Sequence, residues 1–348
     1  MPLIMAEPLL RSRGISLDFH SAITRKTDEC DYVAVNSNFF RSFWKERKNE
    51  IFDFLETCEK KSSRVLWFDT TDSTWCTQFE VLPYVEKFLK SQILADKELY
   101  MTPFRTGRIF TDYFDEIYQS GERESPYPPP SEKEQLEKIG VSWNTCFENY
   151  TPSRYSLNSK LAQRLFPKIP FLRKHLKLDV PFQKHKSSRR DIGISCRIGT
   201  SHDRPSVVAH RKHIVGLLEK RGVETAKLSL EDYFKELARA KIGVGPFGVG
   251  EITLRDFEII ICGALLLKPD MSHMKTWPDL FVPNETYIPH KWDLSDFDEQ
   301  IDKLLASRDL LETIADNATK KYQWTLSEEG IEAFAERFAS EIIGDRDR

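Results

Sequence analysis

Several things are scarce in this sequence of 348 residues, and each scarcity removes a class of explanation. No long apolar run exists: the longest, Ile259–Leu267, is interrupted by Gly263 and is far too short to span a bilayer. The N-terminal MPLIMAEPLLRSRG has no basic stretch ahead of an apolar one, so no signal peptide is expected. The six cysteines (30, 58, 76, 146, 196 and 262) are scattered without a CxxC, which fits reduced thiols rather than a zinc site or a disulfide frame. A charge surplus is missing too. The formal net charge of −3 gives no electrostatic footprint for nucleic acid.

What is present is apolar and aromatic enough for packed domains: 40% hydrophobic and 12% aromatic residues argue against disorder, and the length suits two cores better than one. Helical spacing runs over Met1–Arg13 up to Gly14. Ile15–Phe19 alternates and reads as a strand. DYVAV (Asp31–Val35) is a second strand, followed by a long helix from Asn38 to about Lys60 and a third strand, RVLWF (Arg64–Phe68). Strand–helix–strand spacing of this kind implies parallel βαβ units. Val85–Lys90 fits strand or helix, Ile109–Tyr118 is helical, SPYPPPS (Ser125–Ser131) is a loop, Glu132–Ile139 a short helix, and Leu157–Leu165 another helix.

The basic segment 184–190 breaks the pattern and is taken as a hinge between residues 1–183 and residues 191–348. Beyond it the pattern restarts. Asp191–Cys196 is a strand, Ser206–Arg221 a helix, Val223–Leu228 a short strand, and Leu230–Ala240 a helix capped by Ser229. A strand (Lys241–Val244), the turn GPFGVG (Gly245–Gly250), a helix opening near Glu251 and closing at Gly263, and a strand (Ala264–Leu267) follow. Met271–Leu280 reads as a loop, Thr286–Pro289 as a strand, and Leu294–Leu305, Arg308–Asn317 and Glu328–Ile343 as helices. The expected architecture is α/β, two Rossmann-like halves facing across a cleft at the carboxyl ends of their sheets.

The glycine turn holds three of the chain's 15 glycines, and a turn of this kind leading into a helix leaves backbone N–H groups for a phosphate. Glu251, Arg255 and Glu258 stand at i, i+4, i+7, so a helix through them shares one face. The stretch GEITLRDFEIIICGALLLKPDMSHM, with TYIPHKWDLSDFDEQIDKLL after it, resembles the donor-binding half of GT-B glycosyltransferases. The similar groups are the group 1-like or spore-protein-like glycosyltransferases of bacterial surface polysaccharide pathways. The resemblance covers roughly residues 190–310, and it reaches the first half only loosely, through VLWFDTTDS.

The resemblance implies transfer of a sugar, hexosyltransferase-like, from a nucleotide diphosphate sugar to a glycan, lipid-linked or protein acceptor. It implies polysaccharide biosynthesis as the setting, no cofactor and no catalytic metal, with cationic side chains and a helix N-terminus bearing the leaving diphosphate. Arg255 then faces the diphosphate and Lys268 assists it; Glu258 takes the ribose hydroxyls; Glu251 faces the sugar or only the helix dipole; Gly248 and Gly250 form the turn. Arg197 and Arg204, after the first strand of the second half, are further diphosphate candidates, within a cluster (His202, His210, Arg211, His213) otherwise read as solvated. Thr286 and Tyr287 are candidates for the nucleoside end.

Bland readings stand beside these. Arg255 and Glu258 make a surface ion pair, Lys268 an exposed strand end, and Tyr287 a half-buried strand aromatic. On the acceptor side, Asp69 and Asp72 of the DTTD sequence are base candidates or turn caps, and His20, after Ile15–Phe19, is the alternative base. DTTD is not DxD, so its carboxylates are not spaced as a metal clamp. A cytoplasmic location is expected, with the basic hinge able to touch the inner membrane face or simply to be a solvated linker. The competing function is a degenerate module of the same fold that binds a sugar nucleotide or glycan without turnover.

Overall fold

The computed structural model describes residues 2–23, 29–40, 44, 46–61, 64–75, 77–123, 126–155, 180–186, 189–201 and 203–344. The helix expected at 157–165 lies outside them, as do Cys76 and His202. Two four-stranded parallel sheets dominate, as the sequence predicts. In the first, β1 (Tyr32–Asn36), β2 (Arg64–Asp69), β3 (Lys87–Lys90) and β5 (Ile139–Val141) lie side by side in that order. In the second the order is β10 (Ile288–His290), β8 (Leu265–Pro269), β7 (Ala240–Val244) and β6 (Ile192–Ser195). Val65, Leu66, Trp67 and Phe68 of β2 and all of β8 are buried, as strands covered on both faces must be.

The helices are α1 (Pro2–Ser12), α2 (Lys48–Lys60), α3 (Ile109–Tyr118), α4 (Pro205–Lys220), α5 (Leu230–Arg239), α6 (Leu254–Ile261), α7 (Phe297–Ala306), α8 (Arg308–Leu326) and α9 (Glu328–Arg337). Among the described residues, none is long and apolar enough to cross a membrane. Ser229 caps α5 by accepting from Asp232 N–H at 3.1 Å, and Gly263 (φ 67°) ends α6 in the left-handed region.

Several expectations need correction. Ile15–Phe19 forms no strand: Ile15 and Leu17 pack inward, which produces the alternation, but no neighbouring strand pairs with them. Val223–Leu228 is likewise irregular. The helix placed from Asn38 to Lys60 is a short 3₁₀ turn (Ser37–Phe39) and then α2. The 132–139 helix is a 3₁₀ turn running into β5. The loop at 271–280 contains β9 (Met274–Thr276), which pairs antiparallel with β4 (Gln92–Leu94) of the first half. The basic hinge is no solvated linker at its ends. His185 is buried with Nδ1 2.8 Å from Gly263 O, and Arg190 donates to the Leu237, Ala240 and Cys262 carbonyls.

The halves meet extensively. Phe114 of α3 stacks on His210 of α4 with centroids 4.0 Å apart, Phe110 meets Phe247, and Tyr150 stacks on Phe257 at 4.7 Å. The last helices return to the first half: Phe334 of α9 packs on Trp143, and Arg337 donates to the carbonyls of Val141 and Ser142 at 2.7 and 2.6 Å. One apolar cluster therefore runs from Ala6 and Leu10 through Phe257 to Ile331, Phe334 and Phe338.

Candidate active site

The carboxyl end of β7 leads into the glycine turn, and two of its glycines are required there. A Cβ on Gly245 would sit 2.6 Å from Asp256 Oδ1 and 2.7 Å from Leu266 Cδ1. A Cβ on Gly250 would fall 1.6 Å from the Asp72 carbonyl oxygen of the first half. The helix does not open near Glu251. It opens at Leu254, because Asp256, at the third helical position, accepts from the Thr253 N–H at 2.7 Å. Glu251 thus precedes the helix and does not share the face of Arg255 and Glu258.

Asp256 also holds Lys268. The Nζ lies 2.9 Å from Asp256 Oδ2 and donates to Gly245 O at 3.2 Å, with both side chains wholly buried. Burial pushes the Asp256 carboxyl up and the Lys268 amine down, each toward its neutral form, and their mutual attraction opposes it. Lys268 sits beneath the turn, 5.2 Å from the Phe247 ring centroid.

Beside the turn is a group of cations. Arg255 lies over the Tyr233 ring, its carbon 5.1 Å from the centroid, and donates to Tyr233 Oη at 3.1 Å and to Arg197 O at 2.9 Å. Tyr233 Oη in turn donates to Glu258 Oε2 at 3.1 Å. Burial raises the Glu258 carboxyl, with Arg255 opposing. Arg211 of α4 was read as solvated, but it donates to Phe247 O from Nε (3.1 Å) and Nη2 (3.0 Å) and to Gly199 O from Nη1 (3.1 Å). Burial, and then the nearby Arg255, lower it to about 10. A Cβ on Gly248 would lie 3.2 Å from its Nη2. No carboxylate forms an ion pair with Arg211 or Arg255 among the described residues.

Arg197 is different: its Nε lies 3.0 Å from both Glu236 carboxylate oxygens, and Nη1 donates to Ala226 O at 2.9 Å. Arg204 occupies the residue before α4. Thr286 and Tyr287 are buried. The Thr286 hydroxyl donates to Leu280 O at 2.7 Å and accepts from Val282 N–H at 2.8 Å, while Tyr287 Oη accepts from Met271 N–H at 3.1 Å. Both therefore build the turn ahead of β10.

Facing the turn from the first half is the DTTD segment. Asp69 is buried, accepting from Thr71 N–H at 2.9 Å and paired with the equally buried Lys90 at 3.3 Å. Asp72 is exposed, and its carbonyl accepts from Gln92 Nε2 at 2.6 Å. Glu251 closes the junction from the other half. Fully buried, it accepts from Thr74 Oγ1 at 2.7 Å, from Thr74 N–H at 3.2 Å, and from Gln92 at 3.5 Å, with His273 Nε2 3.4 Å away. Burial raises its carboxyl, but the His273 and Thr74 contacts prevail and leave it below the usual value. His20 pairs with Asp18 at 3.0 Å on the 15–23 segment, which forms no strand. Gln92, Thr74 and His273 carried no sequence signal, because their roles come from pairing across the halves, and Lys90 carried none because its partner Asp69 lies on the neighbouring strand. Among the described residues, no group of three or more His, Cys, Asp or Glu could hold a metal ion.

Residues 199–338 match the family model described as Glycosyl transferase-like. Comparison with curated proteins returns no match. Solved structures with similarity include the glycosyltransferase from Rickettsia africae ESF-5, 10% identical, with a TM-score of 0.40 over 100% of this chain and 95% of that one. An alpha-glucosyltransferase in complex with UDP-glucose and DNA containing an abasic site is 11% identical, TM-score 0.35, over 90% and 80% of the two chains. Sucrose-phosphate synthase from Thermosynechococcus elongatus is 12% identical, TM-score 0.35, over 86% and 79%. The family match thus lies wholly within the second half of the chain, residues 199–338.

Proposed function

We propose that the protein moves a sugar from a nucleotide diphosphate sugar to a glycan or glycoconjugate acceptor, without a catalytic metal. Residues 191–348 hold the donor and residues 1–183 the acceptor. The observation that carries this reading is the pair Arg211 and Arg255. Two guanidinium groups stand near each other at the carboxyl edge of the second sheet, beside the glycine turn and the start of α6, and neither has a carboxylate ion pair among the described residues. Cations held this way favour an anion, and the charge on a departing nucleoside diphosphate grows as its bond to the sugar breaks. Arg255 bears the diphosphate, Arg211 fixes the loops at Gly199 and Phe247 around it, and Glu258, held by Tyr233, takes the ribose hydroxyls. Lys268 acts from beneath, by holding Asp256 and the turn.

The second reading, binding without turnover, is favoured by one observation: Asp69 is already paired with Lys90, which leaves Asp72 as the exposed carboxylate of DTTD. A thermal-shift series with UDP, GDP, CMP and dTDP separates the outcomes. A ligand of the native state raises the melting temperature. One nucleoside diphosphate should stabilise the native protein and fail to stabilise Arg255→Ala; no shift with any of them sinks the donor-site reading. Binding without sugar transfer to any acceptor selects the second reading. Turnover, where found, should survive EDTA.

A further inference from the structure

Away from these residues, α8 presents polar groups around an exposed aromatic ring. Its inner face buries Leu311, Ile314, Ala315, Ala318, Thr319 and Tyr322. Its outer face carries Asn317, Lys320, Lys321 and Trp324, at i, i+3, i+4 and i+7, and with Glu285 these line a shallow groove of about 480 Å³. Trp324 is 43% exposed and its ring stacks on no other aromatic among the described residues.

The side chains of Glu285, Lys320 and Lys321 make no hydrogen bond or ion pair among the described residues, and Asn317 makes one, from Nδ2 to Glu285 O at 3.3 Å. Glu285 is nonetheless well placed. It sits in the turn that Thr286 pins, between the Glu285 N–H bond to Val282 O at 3.1 Å and the Asn284 N–H bond to Tyr287 O at 2.9 Å.

A single exposed tryptophan is ordinary. Here a flat apolar ring is surrounded by one carboxylate acceptor, two ammonium donors and an amide that offers both. The charges nearly cancel, since Glu285 opposes one lysine and Asp279 lies close enough to Lys321 to feel its attraction. Balanced charge disfavours a polyanion, and the ring of donors and acceptors disfavours a purely apolar ligand. A hexopyranose has the matching chemistry: a C–H face that lies on an indole, and a rim of hydroxyls that both give and accept hydrogen bonds.

We infer that the groove formed by Glu285, Asn317, Lys320, Lys321 and Trp324 binds a neutral hexopyranose oligosaccharide. This goes beyond sugar transfer and does not depend on it, because binding there requires no donor.

Isothermal titration of the full chain with cellotetraose, maltotetraose, mannotetraose and tetragalacturonate tests it. At least one neutral tetrasaccharide should bind one to one and quench indole fluorescence. Trp324→Ala should weaken that binding roughly tenfold or more, Glu285→Ala should weaken it less, and Arg255→Ala should leave it unchanged. Equal binding by Trp324→Ala, no binding of any neutral tetrasaccharide, or tighter binding of tetragalacturonate overturns the inference. Trp324 is exposed, so its replacement should fold. If it does not, the Glu285→Ala titration and fluorescence quenching in the unsubstituted protein read the same question.

Discussion

Two polar regions flank the glycine turn, and they are satisfied in opposite ways. At the junction between the halves the buried carboxylates find their partners within the chain, while His273 Nδ1 has none among the described residues. Glu251 takes Thr74, Gln92 and His273, Asp69 takes Lys90, and the Asp72 carbonyl abuts Gly250. On the other side, Arg211 and Arg255 donate only to carbonyls and a phenol, with Glu258 reached through that phenol. A buried charge left unpaired is costly, so carboxylates paired within the chain serve architecture. Cations without an ion-paired carboxylate are arranged for something that arrives.

The sharpest way to break the contrast is Gly250→Val. Its side chain would overlap the Asp72 backbone, which cannot move aside as a flexible side chain could. A stability loss above about 4 kcal/mol in urea unfolding is expected, and wild-type stability would show that the halves do not meet there.

Acid should destabilise the fold next. His290 is buried, and burial holds it down at about 4, against an ordinary value of 6.5; His210, stacked on Phe114, is held down in the same direction. Each is neutral in the fold and charges in the unfolded chain. Their contribution is therefore complete above pH 6.5 and is lost as the pH falls toward 4. For His290 alone the loss is about 3 kcal/mol at about 1.4 per pH unit, and His290→Gln should flatten the slope across that window. The raised carboxyls of Asp256 and Glu258 act with the opposite sign, losing their contribution as the pH rises.

Glu251→Ala removes the acceptor of Thr74 and Gln92 and should cost about 2 kcal/mol in the same unfolding experiment. The smallest stability change is expected for Arg255→Ala, whose side chain is only half-buried. Its effect belongs to the ligand: turnover of the donor should fall at least tenfold, about 1.4 kcal/mol of transition-state stabilisation. Near-normal turnover with a lowered melting temperature would invert the comparison.

Local pattern made much of this legible. β2 and β8 announce themselves as apolar runs with turn residues beside them, and the Ser229 and Gly263 caps are readable from their neighbours. So is the true start of α6, since Thr253 and Asp256 have the spacing of a capping pair, although the glycine turn draws attention to Glu251 instead. The rest depends on partners far away in sequence. Ile15–Phe19 alternates like a strand but has no ladder to join. β4 and β9 are three residues each and exist only through one another. Arg211 looks like any basic residue on a helix until Gly199 and Phe247, from two different loops, place their carbonyls on it.

The return of α9 to the first half has a consequence for how the protein is made. Synthesis runs from the N-terminus, so β1, β2, β3 and β5 leave the ribosome long before Phe334 and Arg337 exist. Until then Trp143 lacks Phe334 and the carbonyls of Val141 and Ser142 lack their donor. The nascent first sheet must wait, partly uncovered, for the second sheet and its helices to be translated, and chaperone binding to ribosome-held chains should persist until α9 emerges.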